Sequence, residues 1–257
     1  MQSCRLSLLV PAFLAAILAT AGCTAPAAGG GPQPQLLDQS NSDPYESANR
    51  AVFGFNNAFY HHVMFPVARA YRTALPPPIR QSLHDFLRNL NGPDIFANDL
   101  LQGRPTLAVT TFGRLFINTT FGFGGLVDVA SLTGIPYHPN DFGITLATWG
   151  VYSGPYLIVP VLGPANPRQL VGQVADSFAD PGDYIASQHQ YLWVAVVRNV
   201  VAGVDTLSRN VDSLEDIEKT SLDYYATIRS LYWQRLAAEI RHETSSLPNP
   251  APVSGGD

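Results

Sequence analysis

Lysine is almost absent. Of 15 basic residues only Lys219 is a lysine, and the others are arginines. No lysine follows a glycine turn, which excludes a P-loop and leaves little scope for covalent lysine chemistry. Cysteine is nearly as rare, limited to Cys4 and Cys23. There is no C-x-x-C or H-x-x-x-H spacing. His61 and His62 are adjacent, so on a helix they diverge by about 100° and cannot share a metal through that spacing. Neither a metal nor an organic cofactor is expected. Charge is short as well: 14% of residues are charged, where soluble domains carry about 25%. The shortage is concentrated between Arg104 and Arg168, where only Arg114, Asp128 and Asp141 are charged. A water-facing surface of that length should carry more. The net charge of −5 gives no reason to expect nucleic acid as a partner. A long apolar run is also missing. The best stretch beyond the leader, Tyr191 to Val204, is interrupted by Arg198 and Asn199, so a spanning helix is not expected. Low charge without a spanning helix suggests a protein lying in one leaflet.

What is present begins with the leader. Arg5 precedes an apolar stretch from Leu6 to Leu18, and small residues then lead to Cys23. That is a signal peptide over 1–22, too short to span a bilayer. Small residues directly before a cysteine form the bacterial lipoprotein pattern, in which the Cys23 thiol carries a diacylglyceryl group. The plainer alternative is an ordinary secretory signal with an incidental cysteine. Cys4 leaves with the leader, so no internal disulfide can form. Thr24, in place of an aspartate, favours the outer membrane. Residues 23–42 are rich in Gly, Pro, Ala and Gln and read as a lipidated flexible tether.

From Asp43 the pattern is helical, and the class is mostly α. Asp43-Pro44 is a helix start, and Glu46 to Met64 carries Val52, Phe53, Phe55, Phe59 and Tyr60 at helical spacing. Pro66 is expected to kink or end that helix. Helices are expected over Ile79–Leu90, Asp94–Leu101 and Pro105–Asn118. Thr133 to Gly163 is studded with Pro and Gly. Two helices close the chain, about Gln190–Arg209 and Asp212–Glu243, and 245–257 is a Pro/Gly tail expected to be disordered.

No catalytic constellation emerges. Ser153 in Gly150-Val-Tyr-Ser-Gly154 sits one place late for a nucleophile elbow and reads as a turn residue. His138 and Asp141 could form a dyad, but the intervening Pro139-Asn140 favours a capping aspartate. Gly122, Gly124 and Gly125 alternate with Phe121, Phe123 and Leu126, without the lysine a phosphate loop needs. They suit a close-packed hairpin, a mobile apolar one, or both. Aromatics around Phe53 fit either a core or a bilayer interface.

These residues resemble the MlaA (VacJ) family of outer-membrane lipoproteins. The resemblance runs from about Asp43 to His242 and rests on ordered blocks. They are Asp43-Pro44-Tyr45-Glu46 with Asn49-Arg50, Phe53, Phe55 and Asn56; Leu100-Leu101-Gln102-Gly103; Gly113-Arg114 with Asn118-Thr119-Thr120, Gly122, Gly124-Gly125 and Asp128-Val129-Ala130; Asp141-Phe142-Gly143; Trp149-Gly150-Val151 with Ser153-Gly154-Pro155-Tyr156; and Leu162-Gly163-Pro164. It implies a single ring-like helical domain, placed here at 43–244, lying in the inner leaflet of the outer membrane around a central amphipathic channel. It also implies a role without catalysis: mislocalised phospholipids are removed from the outer leaflet beside a trimeric porin and passed to a soluble, MlaC-like periplasmic carrier. On that reading Asn118, Gly122, Gly124, Gly125, Leu126 and Asp128 belong to a channel or hairpin. Phe53, Asn56, Arg114 and Asp141 are candidates for lining or gating. For each, a buried pair or cap that merely holds the fold remains the alternative. For the whole protein, the alternative is a structural scaffold associated with porins.

Overall fold

The computed structural model describes residues 43–180 and 192–241. The expected signal peptide, Cys23, the tether and the tail lie outside these residues. The chain runs through α1 (Glu46–Phe59), a π-helical segment (Tyr60–Met64), α2 (Phe65–Ala74), α3 (Pro77–Leu90), α4 (Gly92–Leu101), α5 (Pro105–Phe121), α6 (Val129–Leu132) and α7 (Phe142–Thr148). A two-stranded hairpin follows, β1 (Leu157–Val159) and β2 (Gly163–Ala165), and then α8 (Pro167–Ala179), α9 (Leu192–Thr220) and α10 (Tyr224–Arg241). The proline content is compatible with so much helix because α2, α3, α4, α5 and α8 each carry a proline in the first turn. There its missing N–H would have had no partner anyway.

Pro66 does not end the first helix. The chain passes through it in the wider π-segment, closed by the Phe65 N–H onto the Tyr60 carbonyl, which opens the turn that the proline ring would otherwise crowd. The two closing helices divide later than the sequence suggests. α9 is continuous for 29 residues, since Asn210-Val211-Asp212 contains no helix breaker and Val211 is wholly buried. The break comes at Ser221–Asp223, where Asp223 accepts the Ala226 N–H at 3.1 Å and starts α10. Among the described residues no helix is long and apolar enough to cross a membrane.

The core joins α7, the hairpin and α10 through Ile144, Tyr156, Ile158, Tyr225, Trp233 and Leu236, with Phe53 of α1 packed against it. Burying a side chain of this kind contributes about 1.5–3 kcal/mol. Two buried asparagines fasten α1 to the hairpin. Asn49 donates to the Tyr156 carbonyl at 3.0 Å and accepts the Ile158 N–H at 2.9 Å. Asn56 repeats this with the Val159 carbonyl (3.0 Å) and the Val161 N–H (2.8 Å). Seven helical residues rise about 10.5 Å, and three extended residues advance about 10 Å, so the two periods agree. Asn56, with the Tyr60 hydroxyl on the Val161 carbonyl, also holds Val161 at φ +68°. A β-branched residue rarely adopts that conformation unaided.

Candidate functional site

α7 and α8 touch backbone to backbone. A Cβ on Gly172 would lie 2.3 Å from the Gly143 nitrogen, so this crossing requires glycine. It brings the N-terminus of α7 beside the middle of α8, and with them Asp141 and Asp176. Asp141 caps α7 by accepting the Ile144 N–H at 2.7 Å, and it also accepts the Gln169 amide at 3.2 Å. Asp176 accepts the Phe142 N–H at 3.0 Å and the Asn98 amide at 3.2 Å. Neither forms an ion pair among the described residues. Burial pushes both carboxyls above the ordinary carboxylate range, and Asp141 adds to the effect on Asp176.

Both border a cavity of about 1000 Å³ with two unlike walls. One wall is polar, from Asp94 on α4, Asp141, and Gln169, Gln173 and Asp176 on α8. The other is apolar, from Leu214 and Ile217 on α9 and Ile228, Leu231 and Tyr232 on α10. Leu162, exposed at the hairpin tip, borders the same space. α9 and α10 also bring polar groups to the lining: Arg198, paired with Asp180, Asn199, and Arg235 and Glu239, themselves paired at 2.7 Å. A chamber of this size and two-sidedness fits a molecule with a polar head and a hydrocarbon body.

Of the residues marked from sequence, Asp141 borders this cavity. Arg114, Asn118 and Asp128 instead border a neighbouring cleft of about 20 Å³, room for about one water. Ile95 and Tyr137 stand between the two spaces and border both. Arg114 donates to both Asp128 oxygens, at 2.8 and 2.7 Å, and Asn118 donates to one at 3.0 Å. Asp128 caps α6 through the Ser131 N–H and accepts the Ser131 hydroxyl at 2.6 Å. Burial alone would raise the Asp128 carboxyl, but the bonds from Ser131, Asn118 and Arg114 outweigh it and hold it at about 2.

Gly122, Gly124 and Gly125 form the turn between α5 and α6, where Phe123, Gly124 and Gly125 all take positive φ. The turn is closed onto α5 by the Gly124 N–H on Thr119 and the Gly125 N–H on Asn118. A Cβ on Gly125 would strike Asn89 of α3 at 2.5 Å, so the turn packs closely against that helix. Leu126 is half-exposed on it. Phe53 is edge-on to Tyr224 and Tyr225 at 5.2 and 5.5 Å, and Asn56 grips the hairpin. Neither borders the cavity.

His138 pairs with Asp99 instead of Asp141, at 3.0 Å to both oxygens. Thr111 and Asn140 donate to the same carboxylate at 2.6 and 2.7 Å. Sequence reasoning missed Asp176, Gln169 and Gln173 together with the helix that carries them; the signal for it was Asn166-Pro167, where Asn166 accepts the Gln169 N–H at 3.0 Å and the proline fills the first turn. The apolar lining from Ile228 and Leu231 was visible as helical periodicity, without its destination.

The surface completes the site. Val109, Phe112 and Phe116 on α5, and Trp193, Val196, Val197 and Val200 on α9, are large, exposed and spaced so as to share one face of each helix. With Phe121, Phe123 and Leu132 also exposed, the apolar area exceeds what isolated surface residues supply.

The MlaA lipoprotein profile matches residues 41–239. The intermembrane phospholipid transport system lipoprotein MlaA of Escherichia coli (strain K12) is 34% identical over 202 residues, covering 77% of this chain and 78% of its own. The protein of the same name from Haemophilus influenzae is 34% identical over 205 residues, covering 77% and 79%. A solved structure, reported for the structural basis of maintenance of bacterial outer membrane lipid asymmetry, superposes with a TM-score of 0.70 at 34% identity, covering 78% of this chain and all of that one. With a helical fold shared along most of its length, the chain belongs to the MlaA lipoprotein family.

Proposed function

We propose that this protein is an outer-membrane lipoprotein channel for phospholipids. It removes mislocalised phospholipids from the outer leaflet and hands them to a soluble, MlaC-like periplasmic carrier, working beside a trimeric porin. The observation that carries this reading is the cavity of about 1000 Å³ with one polar and one apolar wall. Unaided, a head group must cross about 30 Å of hydrocarbon, and one charge at its centre costs about 3 kcal/mol or more. A polar wall facing an apolar one lowers that barrier by solvating head and tails separately, with no bond made or broken. The names carried by the Escherichia coli and Haemophilus influenzae relatives support the transport role.

The exposed apolar faces of α5 and α9 support placement of the helical body in the periplasmic leaflet, where acyl chains solvate what water would not. Cleavage after residue 22 leaves Cys23 as the acylated anchor and 23–42 as its tether. Each buried methylene of the anchor contributes about 0.8 kcal/mol.

The test is surface-lipid analysis of a deletion strain, which should accumulate phospholipid in the outer leaflet and recover with the intact gene. A scaffold that only organises porins would leave lipid asymmetry normal, and would fail to pass labelled phospholipid to a carrier in a reconstituted transfer assay. Either result would overturn the channel reading.

A further inference from the structure

The lipid-sized chamber is acidic. Among the described residues that border it, the bases are Arg198 and Arg235, and an acid of the same lining answers each: Asp180 for Arg198 and Glu239 for Arg235. The lining also carries Asp94, Asp141 and Asp176, so its formal charge is negative. Asp141 and Asp176 take neutral donors. The Ile144 N–H and the Gln169 amide bond to the first, and the Phe142 N–H and the Asn98 amide to the second. Arg168 favours the Asp141 charge through space, but its guanidinium donates to the Val151 carbonyl at 3.0 Å and does not border the chamber. The two carboxylates stand close enough for Asp141 to oppose ionisation of Asp176, and both border the same open space. A cation entering there would relieve that repulsion.

The chemistry of the wall selects among cations and against anions. The first N–H groups of α7, which could otherwise receive a phosphate, are already bonded to these two carboxylates. A metal ion fits poorly, since no three acidic, histidine or cysteine side chains among the described residues come together as ligands. A quaternary ammonium needs open aromatic faces. Of the tyrosines bordering the chamber, Tyr137 already carries the Arg88 guanidinium at 3.6 Å, and Tyr232 packs against Tyr156 and Trp233 at 5.5 and 5.2 Å. A primary ammonium suits the wall: it brings one positive charge and three N–H donors to carboxylate acceptors. Gln173 is exposed one turn before Asp176 on the same face of α8, where its neutral amide can donate to the phosphate that follows the ammonium.

We infer that Asp141 and Asp176 make the chamber selective for phospholipids whose head group carries a primary ammonium, such as phosphatidylethanolamine, over anionic ones such as phosphatidylglycerol. This rests on the reading of the chamber as a phospholipid passage and adds the head group it takes. Phosphatidylglycerol brings the same phosphate charge without a cation to set against the carboxylates, so the discrimination comes from repulsion as well as attraction.

The experiment uses the full mature chain in maltoside micelles, offered equimolar phosphatidylethanolamine and phosphatidylglycerol with identical acyl chains. Native mass spectrometry counts each lipid bound. The unaltered chain should retain phosphatidylethanolamine over phosphatidylglycerol by about tenfold, or about 1.4 kcal/mol. Phosphatidylcholine, which has the charge but no N–H, should bind less well than phosphatidylethanolamine. In D141N/D176N, where each asparagine keeps an acceptor oxygen for the backbone N–H, the ratio should fall to about one with the total lipid bound unchanged. Gln173→Arg, at an exposed position, should lower the ratio in the same way by pairing with Asp176. Lipid held on the outer apolar faces is common to all of these proteins, so a change in ratio reads the chamber. Equal binding of the ethanolamine and glycerol lipids by the unaltered chain would overturn the inference while leaving the passage intact. A preference that survives both D141N/D176N and Gln173→Arg would overturn it too, and phosphatidylcholine bound as well as phosphatidylethanolamine would remove the primary ammonium from it. Failure to bind any of the three lipids would overturn the passage and the inference together.

Discussion

One guanidinium nitrogen of Arg114, Nη2, reaches both carboxylate oxygens of Asp128, at 2.8 and 2.7 Å, across the turn that joins α5 to α6. Both are largely buried, at 8% and 15% side-chain exposure. Removing one partner leaves the other charged and without its counter-ion, so Arg114→Met should lower the unfolding free energy by about 3 kcal/mol. An R114L/D128L double variant should recover part of that loss. Thermal unfolding in detergent measures both. A single variant as stable as the parent would show that the pair does not hold the turn.

The acid limb of stability should report the same carboxylate. Asp128 sits at about 2 when folded, against 3.8 without the fold. A folded value below the unfolded one contributes stability that is fully present above about 3.8 and lost as the pH falls through about 2. In Asp128→Asn the curve should therefore flatten below pH 4, with its whole loss already present at neutral pH.

Asp176 should behave oppositely. Burial, with Asp141 adding to it, raises its pKa, so ionisation opposes folding once the pH exceeds the folded value, and the penalty disappears below the ordinary carboxylate range. Asp176→Asn keeps an acceptor oxygen for the Phe142 N–H while removing the charge. Its melting temperature should exceed the parent's by a few degrees at pH 7, with the gap closing toward pH 4. A variant less stable than the parent at pH 7 would count against this.

Glycines at helix positions divide into two kinds. Gly172→Ala drives a Cβ to 2.3 Å from the Gly143 nitrogen and should cost about 1–3 kcal/mol by forcing α7 and α8 apart. It should also widen the cavity's polar wall. Gly113→Ala meets nothing within 4 Å and should gain up to about 1 kcal/mol from helix propensity. Urea unfolding of the two variants separates close approach from mere flexibility.

Leu126 and Phe53 should separate transport from folding. Leu126 is half-exposed on the turn, so Leu126→Asp should raise outer-membrane detergent sensitivity with little change in melting temperature. Phe53 packs on Tyr224 and Tyr225, so Phe53→Ala should cost about 3 kcal/mol and impair the membrane through loss of folded protein. Normal detergent resistance in Leu126→Asp would remove that turn from the transport path.

Local signals carried the helices well. Proline at the first turn is a short-range device, and α3, α4 and α5, all expected from sequence, begin where one stands; α8 starts at the same kind of signal, Asn166-Pro167, and was not expected. The hairpin was invisible because it takes its order from elsewhere. Asn49 and Asn56, more than 100 residues away in sequence, supply the hydrogen bonds that three-residue strands cannot supply for themselves. The π-segment before Pro66 and the late division of α9 from α10 escaped for the same reason, since packing overrode local propensity.

By itself the sequence determined the charge-poor composition, the helical class and the ordered blocks of the family. All of these are properties of residues near one another in the chain or of composition. Only the tertiary structure decided that Asp141 faces the cavity, that Arg114, Asn118 and Asp128 lock a turn beside it, and that Asp176 joins Asp141 on one wall. Which side of a polar helix meets a cavity depends on its neighbours. Here it was set where Gly143 and Gly172 let two backbones touch, a contact between residues too distant in sequence for any local pattern to encode.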